Sequence, residues 1–375
     1  MVKGYIITKW TEERGLMLQL SYPETLSVDL DDMMRIFYAH ITGAAEAGNV
    51  LVRLEKVSSN VSSYFNGMDA QVPFMINLVL ELDEDPEIFG EKVISEINSN
   101  ILNLLNALIN EPSRTYDITE ELKDYIKNSL FLLERLKNLS KEQRMAQIFV
   151  SEKGSAILTS LRENAYSRKE LRETLEEKLG KSIYNLEISL DPFVKTDLIK
   201  QDWIEGDSDI SLFLISDFTI MRVPATKLIE DAKNNLPTPY LATQYLEQVN
   251  SYFMNYTPIH EDNLKIAYDM INPDKYDFIT LFREKAYPIN KIPKSPGETF
   301  DEIKEMLNTL EQDKILTIIK DQKGLEWIFL LTDPIAQTFY PEYMIENIRE
   351  KIAQKKLKKK TAIKYLELLE QFYKK

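Results

Sequence analysis

A run of helical segments closed by a two-stranded hairpin occurs twice in the second half of this 375-residue chain, and no other feature limits the fold as strongly. In the first copy Trp203 and Ile204 lead into Gly206-Asp207-Ser208, and the apolar run from Ile210 to Ile215 returns from that tip. In the second copy, Ile315 to Ile319, the tip Asp321-Gln322-Lys323-Gly324 and the run Leu325 to Leu331 follow the same plan about a hundred residues later. Trp203 and Trp327 are the tryptophans of the two hairpins.

The helices before each hairpin carry their own stop and start signals. Ser151 to Asn164 turns Ile157, Leu158 and Leu161 inward. Ser167-Arg168-Lys169-Glu170 is a capping box, Leu171, Leu175 and Leu179 follow at helical spacing, and Gly180 ends the segment. From Ile183 to Ile199 a third segment carries Asp191-Pro192, which either kinks it or starts a new helix. In the second copy the helices are Glu261 to Ile271, a segment opened by Asn272-Pro273, and one opened by a capping box at Thr299-Phe300-Asp301-Glu302. Helices closed by such a hairpin resemble the winged-helix family, and the resemblance makes Trp203 and Trp327 wing residues.

The first third reads differently. Val2 to Pro23 is a hairpin with a polar loop, Asp29 to Ile41 an amphipathic helix, and Val50 to Val57, Ser58 to Phe65 and Pro73 to Leu82 are strands, the last two joined at Asn66-Gly67. A helix capped by Asp85 and a further one from Ile118 to Leu139 complete it. This order, with the opening KGYIITKWTEERGLMLQLSYP, resembles the longin fold, and related sheets occur in profilin-like domains. The resemblance implies a docking platform for small GTPases or for trafficking and regulatory machinery, on its first helix and the adjacent edge strand.

The expected architecture is therefore α+β: a longin-like domain at 1–142, winged-helix-like domains at 143–225 and 259–340, a helical connector at 226–258 and a helical basic tail at 341–375. Trp10, Trp203 and Trp327 fall one to each expected domain. In the tail, Ile345, Ile348 and Ile352, then Ala362, Leu366, Leu369 and Tyr373, form apolar stripes.

Charge narrows the function. A formal net charge of -14 opposes binding to nucleic acid, because carboxylates repel phosphate. The helix before the second hairpin carries Glu298, Asp301, Glu302 and Glu305 against Lys304, and the first tip, Glu205 to Asp209, is acidic. Arg168, Lys169 and Arg172 form a small basic face diluted by Glu163, Glu170 and Glu173. The dense basic run is Lys355, Lys356, Lys358, Lys359 and Lys360, which fits either an anionic surface (lipid, RNA or an acidic partner) or docking on the acidic body of the protein itself.

The acids Glu81, Asp83, Glu84, Asp85 and Glu87 do not follow the calcium-loop pattern, so helix-terminus electrostatics explains them better than a metal. His40 and His260 are the sole histidines, glycine-rich phosphate loops are absent, and no cysteine is present, so no cofactor and no enzymatic activity are expected. Lack of cysteine and of any signal-like or membrane-spanning run fits a cytoplasmic protein. The expected function is a non-enzymatic interaction or adaptor protein with a protein partner, a small GTPase or an assembly subunit. Peripheral membrane contact would run through the lysine-rich tail. The alternative is a winged-helix transcriptional regulator that binds DNA.

Overall fold

The structure, a computed structural model, describes residues 2–42, 46–54, 58–82, 84, 86, 89, 91–180, 182–183, 186–206, 208–293 and 300–374. The expected helix cap Asp85, most of the acidic run after Glu81, the tip residue Asp207, and Glu298 and Thr299 lie outside the described residues. The chain divides into two compact units, 1–138 and 139–375.

Unit 1 is built on a five-stranded antiparallel sheet. Its strands are β1 (Gly4–Thr11), β2 (Gly15–Tyr22), β3 (Gly48–Leu54), β4 (Ser59–Phe65) and β5 (Phe74–Glu81), ordered β2-β1-β5-β4-β3. Alternation assigns the faces. Ile6, Val61, Phe65, Met75 and Val79 pack against Met33, Ile36 and Phe37 of α1 (Leu30–Ile41), and Trp10 stacks on Phe37 at 4.6 Å. Residues of the opposite phase, among them Tyr5, Ile7, Ile76 and Leu78, are also buried, with α2 (Glu91–Asn110) against β5 and α3 (Thr115–Lys137) against β2. Asp29 caps α1 by accepting from Asp32 N. The turn expected at Asn66-Gly67 is instead a longer connection. The Asn66 side chain ties it by accepting from Phe74 N at 2.7 Å and donating to Val72 O at 3.1 Å.

Unit 2 runs α4 (Lys141–Val150), α5 (Glu152–Glu163), β6 (Tyr166–Ser167), α6 (Arg168–Leu179), α7 (Leu186–Lys195), β7 (Ile199–Trp203), β8 (Ile210–Leu214), β9 (Asp217–Val223), α8 (Thr226–Lys233) and α9 (Pro239–Asn255). The sequence of elements then recurs as α10 (His260–Ile271), α11 (Pro273–Glu284), β10 (Tyr287–Pro288), α12 (Phe300–Gln312), β11 (Leu316–Lys320), β12 (Glu326–Leu330), β13 (Asp333–Phe339), α13 (Tyr343–Ala353) and α14 (Lys359–Tyr373). A single turn at Ile289–Lys291 stands where the first copy has α6. Each copy forms a three-stranded sheet of matching order, β6-β8-β7 and β10-β12-β11.

The copies exchange elements. β9 pairs antiparallel with β13, Asp217 opposite Phe339 and Phe218 opposite Thr338, with Ile220 opposite Ala336 at the centre. Swapping the two strands maps this ladder onto itself, which defines a local twofold through the Ile220–Ala336 pair. Helix α4 packs on its counterpart α10 beside that axis. Tyr245 of α9 donates to Leu330 O at 2.9 Å in the second sheet, and Tyr365 of α14 donates to Leu214 O at 3.0 Å in the first. Arg162 grips Asp217 through two bonds of 2.8 and 2.9 Å, and Arg283 reaches Asp333 at 2.7 Å, so in both copies an arginine in the last turn of the second helix holds the first residue of the fourth strand.

Several expectations change here. Helix α4 is one that periodicity missed, although Ser140 and Gln143 form its capping box. Strands β9 and β13 lie beyond the expected hairpins. Pro334 sits in β13 because that strand belongs to a two-stranded ribbon in which one edge needs no donor. Asp191-Pro192 lies inside a single helix, α7. Segment 226–258 is no mere connector, since Leu228, Leu241, Tyr245 and Val249 are core residues. In the tail, Met344, Ile348, Ala362, Tyr365, Leu368 and Leu369 are buried, whereas Ile345, Ile352, Leu366 and Tyr373 are exposed, so the inward faces are rotated from the expected stripes.

Because the strand exchange ties both copies together, Trp203 and Trp327 belong to one cooperative body. Single-tryptophan variants retaining either residue are expected to report the same denaturant midpoint. Distinct midpoints for Trp203 and Trp327 would mean that the two copies unfold independently.

Candidate interaction surfaces

The two hairpins differ in their surroundings. Trp203 ends β7 opposite Ile210 and is 58% exposed. Trp327 lies in the middle of its sheet opposite Ile319, is partly buried against the core, and points Nε1 toward Asp321 Oδ2 at 3.4 Å. The two tryptophans therefore occupy different strands and are not counterparts.

The acidic first hairpin is engaged by its own chain. Lys360 donates to Glu205 O at 3.2 Å and lies 3.4 Å from its carboxylate, and Lys364 pairs with Asp202 at 2.8 Å. That ammonium holds the Asp202 carboxyl below the usual range. Asp209 accepts from Lys169 N at 3.0 Å. The helices that would face a groove are acidic or self-paired. On α7, Asp191 pairs with Lys195 at 2.7 Å, and on α12 the exposed Asp301 and Glu305 flank Lys304. The small basic face on α6 is likewise internal in part, since Arg168 donates to Gln201 at 2.6 Å.

The lysine run forms the corner between α13 and α14. Lys355 takes the left-handed conformation, with φ of 58°, and its N–H donates to Ile352 O while that of Lys356 donates to Lys351 O. Lys355, Lys356, Lys358 and Lys359 line a shallow depression of about 430 Å³, together with Leu357, Ile352, Ile363 and Leu366. The corresponding corner of the first copy, between α8 and α9, has the same backbone: Asn235 has φ of 62°, and the N–H groups of Asn235 and Leu236 donate to Ala232 O and Asp231 O. There Thr238 caps α9 by accepting from Leu241 N. Its counterpart Lys358 gives α14 no side-chain cap.

The two histidines stand apart, His40 buried in unit 1 and His260 exposed at the start of α10. His40 Nε2 lies 2.8 Å from Ser63 Oγ, the atoms of a base and a nucleophile, but Ser63 is fully buried and His40 nearly so on the inner face of α1. Burial lowers the His40 pKa to about 4. The His260 ring packs against Phe149 at 5.5 Å. Of the acidic run, Glu84 is buried, pairs with Lys137 at the end of α3 and accepts from Glu81 N, which is a structural use of its charge. Among the described residues no group of three potential ligands is placed to hold a metal ion. Among them, too, no helix is long and apolar enough to cross a membrane.

The internal echo was readable in the chain. Arg162-Glu163-Asn164-Ala165-Tyr166 recurs as Arg283-Glu284-Lys285-Ala286-Tyr287, and Phe213-Leu214-Ile215-Ser216-Asp217 as Phe329-Leu330-Leu331-Thr332-Asp333. These strings hold the arginine and aspartate that close each copy. Compared with models of known protein families and with curated proteins, the chain matches none.

Two outcomes follow from these geometries. Lys358→Thr restores the missing cap and is expected to stabilise unit 2 by about 1 kcal/mol in denaturant titration; no gain would mean that the corner backbone does not accept the bond. The neutral His40 imidazole is favoured by folding, while the unfolded chain takes up a proton near pH 6.5. Stability of unit 1 is thus complete above about pH 6.5 and falls toward pH 4, by at most about 3 kcal/mol. Trp10 fluorescence melts across that range check this, and His40→Gln should flatten the dependence.

Proposed function

We propose that the protein is a non-enzymatic, cytoplasmic interaction protein, with a longin-like docking unit and two winged-helix-like copies that make protein contacts. The sheet order β2-β1-β5-β4-β3, with α1 on one face and α2 and α3 on the other, supports the longin-like reading. The order β6-β8-β7 behind α5, α6 and α7 supports the winged-helix reading of the first copy, and β10-β12-β11 that of the second. Fold resemblance alone does not assign a role.

The observation that carries the reading is the state of the first hairpin. Helix α14 occupies it through Lys360 and Lys364, and buries Tyr365 beneath it. A wing held by its own chain and edged with carboxylates is poorly suited to phosphate. On unit 1, exposed Leu30 and Tyr38 of α1 and Leu51 on the edge strand β3 offer apolar contacts for a protein partner, a small GTPase or an assembly subunit.

The discriminating measurement is binding of mixed-sequence duplex DNA at about 50 and 200 mM salt. It is made with the full chain and with a variant in which Lys355, Lys356, Lys358, Lys359 and Lys360 are changed to Gln. The expected result is no binding, or weak binding that the substitutions abolish. Salt-sensitive binding that survives them would place DNA on α7 or α12 and favour the regulator reading.

A further inference from the structure

We infer that the corner between α13 and α14 docks on an anionic phospholipid surface. The duplication sets this corner beside a sister corner, whatever role the adaptor reading gives the rest of the chain. The corner of the first copy builds the same left-handed residue and the same two backbone bonds from Asn234-Asn235-Leu236-Pro237-Thr238-Pro239-Tyr240, without a lysine. The fold therefore does not require the charges that the second copy carries.

The lysines also stand where they cost stability. Lys358, Lys359 and Lys360 occupy the N-cap and first turn of α14, the positive end of its dipole, where that turn carries no acid of its own and the capping threonine of the sister helix is absent, and Lys355 and Lys356 precede them in the corner. Lys360 is occupied by Glu205, whereas Lys355, Lys356 and Lys359 are exposed and make no salt bridge among the described residues. A chain of net charge -14 that sets five lysines within six residues at one corner, three of them against the dipole of α14, presents that corner to an anionic surface.

The chemistry of the patch selects the surface. Between the lysines lie exposed Ile352, Ile363 and Leu366, at 40%, 47% and 39%, around a shallow depression. It lacks arginine and aromatic residues, the usual anchors of protein interfaces and of stacked nucleotides. Hydrated point charges on flexible stems suit diffuse headgroups better than a fixed carboxylate, and branched aliphatics fit the edge of the acyl layer.

The test is co-sedimentation of the full chain with vesicles of phosphatidylcholine alone, or with roughly 30% phosphatidylserine, at about 50 and 200 mM salt. Binding is expected only to the acidic vesicles and should weaken with salt. The variant Lys355→Gln, Lys356→Gln, Lys359→Gln should lose about a hundredfold in affinity. A charge-matched control, Lys200→Gln, Lys233→Gln, Lys323→Gln, should lose far less. Ile363→Ser with Leu366→Ser should weaken binding while keeping the salt dependence, and circular dichroism verifies that each variant is folded. Equal binding to neutral vesicles, no binding to acidic ones, or equal losses in variant and control would overturn the proposal. So would tighter binding to a polyglutamate peptide than to vesicles, which would assign the corner to acidic chains.

Discussion

Seven residue pairs between β9 and β13 hold unit 2 in one piece. Neither strand completes a sheet within its own copy, so each finds its hydrogen bonds in the other, and a backbone ladder left unmade in the interior would be costly. The register does more than join them. With Ile220 facing Ala336, the two copies are placed symmetrically, which brings α4 onto α10 and carries α9 and α14 across to the opposite sheets. The apolar core then runs unbroken through both copies, from Met145 and Ile157 to Leu330 and Ala336.

Charged groups finish what the ladder begins. Asp217 is almost wholly buried yet accepts two bonds from Arg162 and one from Tyr343 of the other copy. Arg283 joins Asp333 to Glu142 across the same boundary, and Arg222 on β9 grips Asp262 in α10 with two bonds of 2.8 Å while donating to Thr332. Such groups are tolerable inside because each is multiply satisfied, and removing one partner would strand the other. Burial raises the Tyr365 hydroxyl pKa above its usual value, so it remains a donor to Leu214 O at any ordinary pH.

Much of this was legible wherever local chemistry agreed with the fold. Ser167 with Glu170, Asn272 with Pro273, and Asp29 mark their helices correctly because caps are decided by neighbours in sequence. The two hairpins were readable for the same reason. What escaped was decided at long range. Strand β9 looks like a continuation after a hairpin until β13 is set beside it, and Pro334 argues against a strand unless one edge of the ribbon is open. In the tail, Leu366 and Tyr365 suit the interior equally by composition, and only docking on β8 selects the tyrosine, through its bond to Leu214. The lysine corner was visible as charge, but its contrast with the neutral sister corner needed the two to be superposed by topology.

An assembly of identical halves would display every surface feature twice, once on each side of its axis. Here the halves are one covalent chain, so the ladder and the tyrosines can stay matched while Thr238 in one corner and Lys358 in the other diverge. Symmetry inside and asymmetry outside give the molecule a polarity. A basic corner present once cannot bridge two surfaces as a symmetric pair would.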